Sequence, residues 1–256
     1  MSSLLPSVMV GSAIVCLVIK YYNSHIQPWF FSKVYNPSLA VYHVHCREIK
    51  RKHFESIKDH KSADPELRKK GALRILEIGP GPGYNFEFYP PNSELTAVEV
   101  NRFFEEQFFE KQADHPHIKM ERFVVGFAED MKDVPDNSVD IVVSTMVLCS
   151  VRSVEGALKE VHRVLAPGGK YYFWEHIIEH EYRLVRLIQH IASHPLCMYQ
   201  FVFAGCKLNR KSDEIIQKND LGFSHIDQNR FRTPQKSGLH AICIFHSSHV
   251  KGIATK

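Results

Sequence analysis

The chain has 256 residues, 44% of them apolar, which suits one domain with an appendage and an ample core. The net charge of +4 is mild and spread along the chain, so nothing marks a nucleic-acid-binding surface. Six cysteines (Cys16, Cys46, Cys149, Cys197, Cys206, Cys243) form no C-x-x-C pair, which argues against a zinc motif and a disulfide framework and for a reducing compartment.

Residues 4–19 carry no charge. As a helix they would reach about 24 Å, short of the roughly 30 Å hydrocarbon core of a bilayer. A cleaved signal peptide fits poorly, because Met1-Ser2-Ser3 lacks a basic start. A short span extended through Tyr21 and Tyr22 fits. So does a monotopic anchor continuing through Ile26, Trp29, Phe30, Phe31, Val34 and Tyr35, and so would a segment packed on the soluble body. Pro28 and Pro37 argue against one continuous helix here. Lys20, Lys33 and the run Lys50-Arg51-Lys52 follow the apolar stretch, so the body should face the cytosol. That basic run reads either as a solvated helix face or as an attraction to anionic headgroups. The organisation expected is a membrane anchor over 1–36, an amphipathic helix (38–61) and charged linker within 37–71, and a catalytic domain over 72–256.

Alternating elements follow, which predict a doubly wound α/β sheet covered on both faces. Residues 74–78 form strand one, and Glu77-Ile78-Gly79-Pro80-Gly81-Pro82-Gly83 makes a tight turn beside a ligand. A side chain at Gly81 or Gly83 would stand where a nucleoside sits. The prolines remove two N–H donors, and the G-x-G-x-G spacing departs from that of dinucleotide enzymes. A nucleoside cofactor without a pyrophosphate is expected, and S-adenosylmethionine (SAM) fits. Strand two (95–99) ends in Glu99, placed as the acids that accept ribose hydroxyls are placed. A helix over 102–112 and strand three (118–124) lead to Phe127-Ala128-Glu129-Asp130. There the Phe127 ring would pack on adenine while Ala128 and Glu129 read its edge. Strand four (140–144) ends at Ser144, and Ser144-Thr145-Met146-Val147 should border the transferred group. A helix over 154–165, apolar at Val154, Leu158, Val161 and Leu165, precedes a Pro167-Gly168-Gly169 turn and strand five, 170–176. His176 closes that strand with Glu175 beside it. Residues 190–205, rich in Leu196, Met198, Tyr199, Phe201, Val202 and Phe203, would line an apolar acceptor site or simply the core. Two final strands, 223–231 and 239–246, read as a hairpin.

In this order, Glu77-x-Gly79-x-Gly81-x-Gly83, the acid Glu99 and Leu165-Ala166-Pro167-Gly168-Gly169 resemble the class I SAM-dependent methyltransferases over 70–247. That resemblance implies a Rossmann-like seven-stranded sheet with one antiparallel strand, and an N-terminal membrane-anchoring helix stands before it. It also implies SAM held by Glu77, Gly79, Gly81, Gly83, Glu99, Phe127, Ala128, Glu129 and Ser144. The stretches Asn85-Phe86-Glu87-Phe88-Tyr89-Pro90-Pro91, Val147-Leu148-Cys149-Ser150-Val151, Phe173-Trp174-Glu175-His176 and Gly205-Cys206 are similar to the membrane-associated thiol methyltransferases, the "methyltransferase-like seven" proteins. This narrower likeness implies methyl transfer to small or lipophilic alkyl thiols at the endoplasmic reticulum membrane or lipid droplets, with the domain facing the cytosol. A thiol needs little base catalysis, since a few per cent is ionised at neutral pH. His176 is the candidate base, and Cys149 reads as a buried cysteine. An O- or C-methyltransferase acting on a quinone, phenol or lipid, or a non-catalytic lipid-droplet adaptor, are the alternatives. No metal ligand is assigned.

Overall fold

Apolar residues on the central strands divide between two faces, and each face is covered. A computed structural model describes residues 18, 21–194, 197–233 and 244–256. On β1 (Leu73–Ile78), Leu73 and Ile75 face one core cluster and Leu76 and Ile78 the other. On β4 (Val139–Thr145), Ile141 and Val143 share the first cluster, while Val142 belongs to the second. The period of two, with both faces dry, is why these strands read as unbroken apolar runs.

With β2 (Ser93–Glu99), β3 (Ile118–Val125), β5 (Leu165–His176), β6 (His225–Arg232) and β7 (Ser248–Thr255), they form one seven-stranded sheet, ordered β3-β2-β1-β4-β5-β7-β6. β7 alone runs antiparallel, to both β5 and β6. The chain winds outward from β1 to β3, then crosses back to β4. That reversal opens a crevice at the carboxyl ends of β1 and β4, where open α/β sheets bind ligands.

The helices are α1 (Gln27–Phe30), α2 (Asn36–Phe54), α3 (Pro65–Lys70), α4 (Glu105–Ala113), α5 (Val154–Val164), α6 (Arg183–Ala192), α7 (Met198–Val202) and α8 (Ser212–Lys218). α5 buries Val154, Ala157, Leu158, Val161 and Val164 along one stripe, and Ser153 caps it by accepting from Gly156 N–H at 3.0 Å.

The sequence expectations need several corrections. Pro28 and Pro37 do not break the N-terminal helix, which runs on from Tyr21 to Phe54. Each follows a π turn, Tyr22–Ile26 and Phe31–Tyr35, in which Gln27 N–H reaches back to Tyr22 O and Asn36 N–H to Phe31 O. The extra residue in each turn makes room for the ring that follows. α2 ends at Phe54 and tightens into a 3₁₀ turn, Glu55–Asp59, short of the expected 61. The basic run on α2 is not one surface patch, because Lys50 is buried and bonded to His43 Nδ1 at 2.8 Å. Apart from Val18, the apolar segment 4–19 lies outside the described residues. Among the described residues no helix is long and apolar enough to cross a membrane.

β5 starts five residues before its expected beginning. Val139 pairs with Leu165 and Ile141 with Lys170, so Ala166, Pro167, Gly168 and Gly169 bulge out of the strand. Gly168, at φ +77°, turns the bulge, and Lys256 pins it through Nζ to Leu165 O at 2.9 Å. The last strand is also displaced: β7 is Ser248–Thr255, and the end of the expected strand, Ile244–His246, forms a 3₁₀ turn. The rest of that expected strand, 239–243, lies outside the described residues. The expectation rests on an apolar run in the sequence, whereas β7 relies on Val250, Ala254 and a close approach at Gly252.

Asp140 at the start of β4 fastens the linker to the sheet. Its Oδ1 accepts from Ser62 Oγ (3.0 Å) and Ala63 N–H (2.8 Å), and its Oδ2 from Arg74 N–H (3.0 Å). Replacing it strands buried donors. Asp140→Ala should lower the unfolding free energy by about 2–4 kcal/mol, and Asp140→Asn by less. Urea denaturation measures both, and equal losses would show that the lost acceptors are not the cause.

Candidate active site

A cavity of about 510 Å³ opens at the carboxyl ends of β1, β2 and β4. The turn after β1 forms its floor, and every donor in that turn is already used. Gly79 N–H donates to Val98 O (2.8 Å), Gly81 N–H to Glu99 Oε2 (3.0 Å) and Gly83 N–H to Pro80 O (3.0 Å). Pro80 and Pro82 have none. The loop therefore offers no N–H to a phosphate, which fits a nucleoside cofactor lacking a pyrophosphate.

The three glycines are required for different reasons. All sit at positive φ (+61°, +56°, +90°). A Cβ at Gly79 would lie 2.6 Å from Val147, and one at Gly83 would lie 2.2 Å from the Phe86 ring. Only Gly81 faces open space, with Phe104 4.0 Å away. The expectation that a side chain at Gly83 would intrude on the ligand is thus corrected: it would strike the core.

Glu99 lies at the cavity edge, 5% exposed. Its Oε2 takes the Gly81 N–H and its Oε1 the Asn101 N–H at 2.8 Å. Burial pushes its pKa up to about 7 against the pull of those two bonds. Glu77, at the end of β1, accepts from Asn85 Nδ2 and from Tyr89 OH, both at 2.7 Å, and burial raises it to about 6. Phe127, Ala128 and Glu129 all line the cavity. The Phe127 ring is stacked by the Arg152 guanidinium at 3.8 Å. Glu129 Oε1 accepts from Arg152 N–H and from Ser153 N–H (3.1 Å), which fixes it against the start of α5.

Ser144 is placed otherwise than expected. It is buried away from the cavity, bonded to Tyr171 OH (2.7 Å) and donating to Glu175 Oε1 (2.6 Å). Thr145, Met146 and Val147 reach the cavity instead. The alternation of β4 turns Ser144 to the opposite face from Thr145. Glu175, beside His176, binds other groups. Its Oε2 accepts the N–H groups of Val147 (2.8 Å) and Leu148 (2.9 Å), which shapes the loop after β4. Burial raises Glu175 to about 7.

Opposite the glycine turn, His176 lines the cavity together with Cys149, Cys206, His246, Tyr199 and Phe203. His176 Nδ1 is 3.9 Å from Cys206 Sγ. Tyr199 OH bonds His246 Nε2 at 2.6 Å, and Tyr199 stacks on Phe203 with centroids 4.3 Å apart. Of the expected acceptor wall, Tyr199 and Phe203 reach the cavity, while Leu196 and the side chains of Met198 and Phe201 lie outside the described residues. Sequence reading missed Cys206 and His246 as cavity residues, because no local motif joins them.

The fourth wall was also unforeseen. The helical arm over 21–54 lies across the cavity and contributes Phe31, Tyr35, Leu39, Tyr42, His43 and Cys46. It is fastened by Asn101 Nδ2 to Pro28 O (2.9 Å), Tyr84 OH to Asn36 Oδ1 (2.7 Å) and Lys33 to Glu106 (2.8 Å). Beneath it Trp174 Nε1 donates to Tyr42 OH at 2.9 Å, and Tyr42 bonds His249 Nε2 at 3.0 Å. His249 Nδ1 donates to Ser247 O, so its Nε2 accepts from Tyr42.

Residues 76–173 match a family model described as a methyltransferase domain. The chain is 40% identical to thiol S-methyltransferase TMT1B of Rattus norvegicus over 66% of either chain, just under two thirds of that relative. It is 35% identical to thiol S-methyltransferase TMT1A of Homo sapiens over 81% of this chain and 79% of that one. A SAM-dependent methyltransferase from Thermotoga maritima, 18% identical, superposes with a TM-score of 0.55 over 89% of this chain and 98% of its own. The fold is that of the class I SAM-dependent methyltransferases, and SAM is the cofactor that the domain takes.

The differing surroundings of two glycines can be tested without any ligand. Gly81→Ala and Gly83→Ala both carry the roughly 1 kcal/mol cost of positive φ. Gly83→Ala should lose about 1–3 kcal/mol more, from overpacking against Phe86. Chemical denaturation of the two would decide, and equal losses would remove the ring contact as the cause.

Proposed function

The chain belongs to the thiol S-methyltransferase family, and on that premise we propose that it methylates small or lipophilic alkyl thiols at a membrane surface. The observation that carries the reading is the division of one cavity into two unlike halves. One half has buried carboxylates and a donor-free turn, suited to a sugar and an amino group. The other is lined by sulfur, imidazole and aromatic rings.

In this reading Glu99 accepts the ribose hydroxyls and Glu77 takes the amino group of SAM. Gly79, Gly81 and Gly83 let the backbone approach the nucleoside. Phe127, Ala128 and Glu129 surround the adenine, while Thr145, Met146 and Val147 border the methyl. When bound, SAM supplies an electrophilic methyl on a sulfonium sulfur. The chain itself aligns the acceptor and excludes water. A dry wall favours neutralisation of a thiolate by a sulfonium. His176 stands on the acceptor side, within reach of an incoming S–H.

Two measurements test this reading of the cavity. Labelled methyl should pass from SAM to alkyl thiols in preference to phenols, quinones and lipids; transfer only to oxygen or carbon would overturn the thiol assignment. The affinity for SAM should also depend on pH through Glu99. Burial holds its pKa at about 7, so the carboxylate that accepts sugar hydroxyls is complete at pH 8 and largely protonated at pH 6. Calorimetric affinity should weaken about tenfold over that interval. Glu99→Gln should bind weakly at both values. A flat profile in the unaltered protein would remove Glu99 from the ribose.

The membrane part of the proposal places the chain at the endoplasmic reticulum or lipid droplets, facing the cytosol. Supporting it are exposed apolar side chains on neighbouring helices. On the arm these include Tyr21, Ile26 and Trp29; on α6 they are Leu184, Leu187 and Ile191, with Leu184 70% exposed. Gln200 joins the two groups, accepting from Gln27 Nε2 at 3.1 Å and donating to Ala192 O at 3.4 Å. The spacing on α6 gives the helix two faces, an inward one at Val185, Gln189 and Ala192 and an outward apolar one at Leu184, Leu187 and Ile191. The full chain should float with phosphatidylcholine–phosphatidylserine vesicles, and the double change Leu184→Glu and Leu187→Glu in a chain lacking residues 1–20 should abolish flotation. Undiminished flotation of that variant would sink the proposed surface.

A further inference from the structure

Three soft or borderline ligands converge on the acceptor wall of the cavity. Cys149 Sγ, His176 Nδ1 or Nε2, and Cys206 Sγ lie within 4.8 Å of one another, and all three residues are buried. Cys206 Sγ and His176 Nδ1 are 3.9 Å apart. A tetrahedral zinc site, with Zn–S near 2.3 Å and Zn–N near 2.0–2.1 Å, spaces neighbouring ligand atoms about 3.4–3.8 Å apart. The cluster therefore reaches that geometry with small side-chain movements.

The three residues come from separate elements, and each is held in place by backbone. Cys149 follows β4 on the loop that Glu175 fixes through Leu148 N–H. His176 ends β5, paired in register with His249 of β7. Cys206 follows α7, and Lys207 N–H donates to Cys149 O at 2.8 Å, which clamps the two cysteine segments together. His246 stands nearby, but its Nε2 is engaged with Tyr199 OH.

We propose that Cys149, His176 and Cys206 bind a divalent cation of the zinc type, and that its fourth position takes the sulfur of the acceptor thiol. The donor set is the two-thiolate, one-imidazole set of catalytic rather than closed structural zinc sites. All three ligands line the cavity, so the remaining position is supplied from there. Sequence spacing gave no metal motif because the ligands are dispersed over three loops and strand ends.

The inference rests on the thiol-methylation reading and gives it a source of nucleophile. A thiol that coordinates the cation is deprotonated outright, its proton passing to water. A lone pair of the acceptor sulfur then attacks the SAM methyl carbon and displaces S-adenosylhomocysteine. The new C–S bond forms as the old one breaks, and the departing electron pair neutralises the sulfonium. Both products are thioethers. The methylated acceptor is a neutral and weak ligand, which favours its release. The same site selects sulfur over alcohols, since a thiolate-bearing centre prefers soft ligands.

The test uses full-length detergent-solubilised protein, reduced, stripped of metal and titrated with Co²⁺ as the probe. One equivalent should bind with thiolate-to-cobalt charge-transfer absorption, and hexanethiol should change that spectrum. Cys206→Ser should weaken binding about 10–100-fold while still binding SAM, which confirms that it is folded. Zinc-loaded protein should methylate hexanethiol at least about tenfold faster than stripped protein. A SAM-binding protein that takes up no Co²⁺, or whose cobalt spectrum lacks the thiolate band or is untouched by Cys206→Ser, overturns the site. Thiol methylation that survives stripping and Cys206→Ser also overturns it, while leaving the function intact. A thiolate–cobalt band without transfer to any thiol retains the metal centre and sinks the thiol-methylation reading.

Discussion

Three carboxylates are buried at the carboxyl edge of one sheet, and the remaining shape of the cavity follows from how they are satisfied. Glu99 ends β2, while Glu77 and Glu175 lie one residue before the ends of β1 and β5. Burying an ionised carboxylate costs several kcal/mol unless donors meet it. Each recruits a different set. Glu77 takes the side chains of Asn85 and Tyr89. Glu99 takes the backbone of the glycine turn and of Asn101. Glu175 takes two backbone N–H groups of the loop after β4. The loops that meet a ligand are thereby tied to the strands beneath them. Incomplete compensation keeps all three pKa values raised, to between about 6 and about 7.

The arm supplies the second constraint. A sheet edge with three loops makes a crevice open on one side, and the helical run from Tyr21 to Phe54 closes that side. Its two prolines do not break it, because each follows a π turn. The fastening is polar at the rim, through Asn36, Lys33 and Pro28 O, and aromatic inside, where Tyr35 meets Phe203 edge-on with centroids 4.7 Å apart. A segment whose composition suggests an appendage is thus part of the cavity wall.

The positions of the residues around the glycine turn were largely legible in the sequence, and those of the sulfur–imidazole cluster were not. The turn 79–83, Glu77, Glu99 and the segment 127–129 lie next to strand ends, so position along the chain alone predicts their place. Ser144 failed because strand four could be placed correctly while the outward face of its last residue could not. The end of the final strand was misplaced because the apolar run up to residue 246 outweighed the equally long, glycine-bearing Ser248–Thr255, whose burial depends on its partners. Cys149, His176, Cys206 and His246 come from four separate places, and only the register of β5 with β7 and the clamp of Lys207 on Cys149 bring them together. No period or spacing records such a meeting.

That asymmetry bears on specificity. On the proposed reading the cofactor half uses backbone and carboxylates to recognise a sugar and an amino group, which leaves little freedom for change. The acceptor half uses side chains alone: Tyr199 and Phe203 from the α7 region, Tyr35 and Leu39 from the arm, and the sulfur–imidazole cluster. Helices that supply those walls also carry, or adjoin, the exposed apolar residues of the proposed membrane surface. On that reading a lipophilic acceptor leaves lipid and meets an apolar wall after crossing one layer of helix. Its desolvation is then complete before it reaches sulfur and imidazole. A hydrophilic thiol has no such path and must give up its water at the rim, so discrimination between thiols would be set by the arm and α7, with the cluster discriminating sulfur from oxygen.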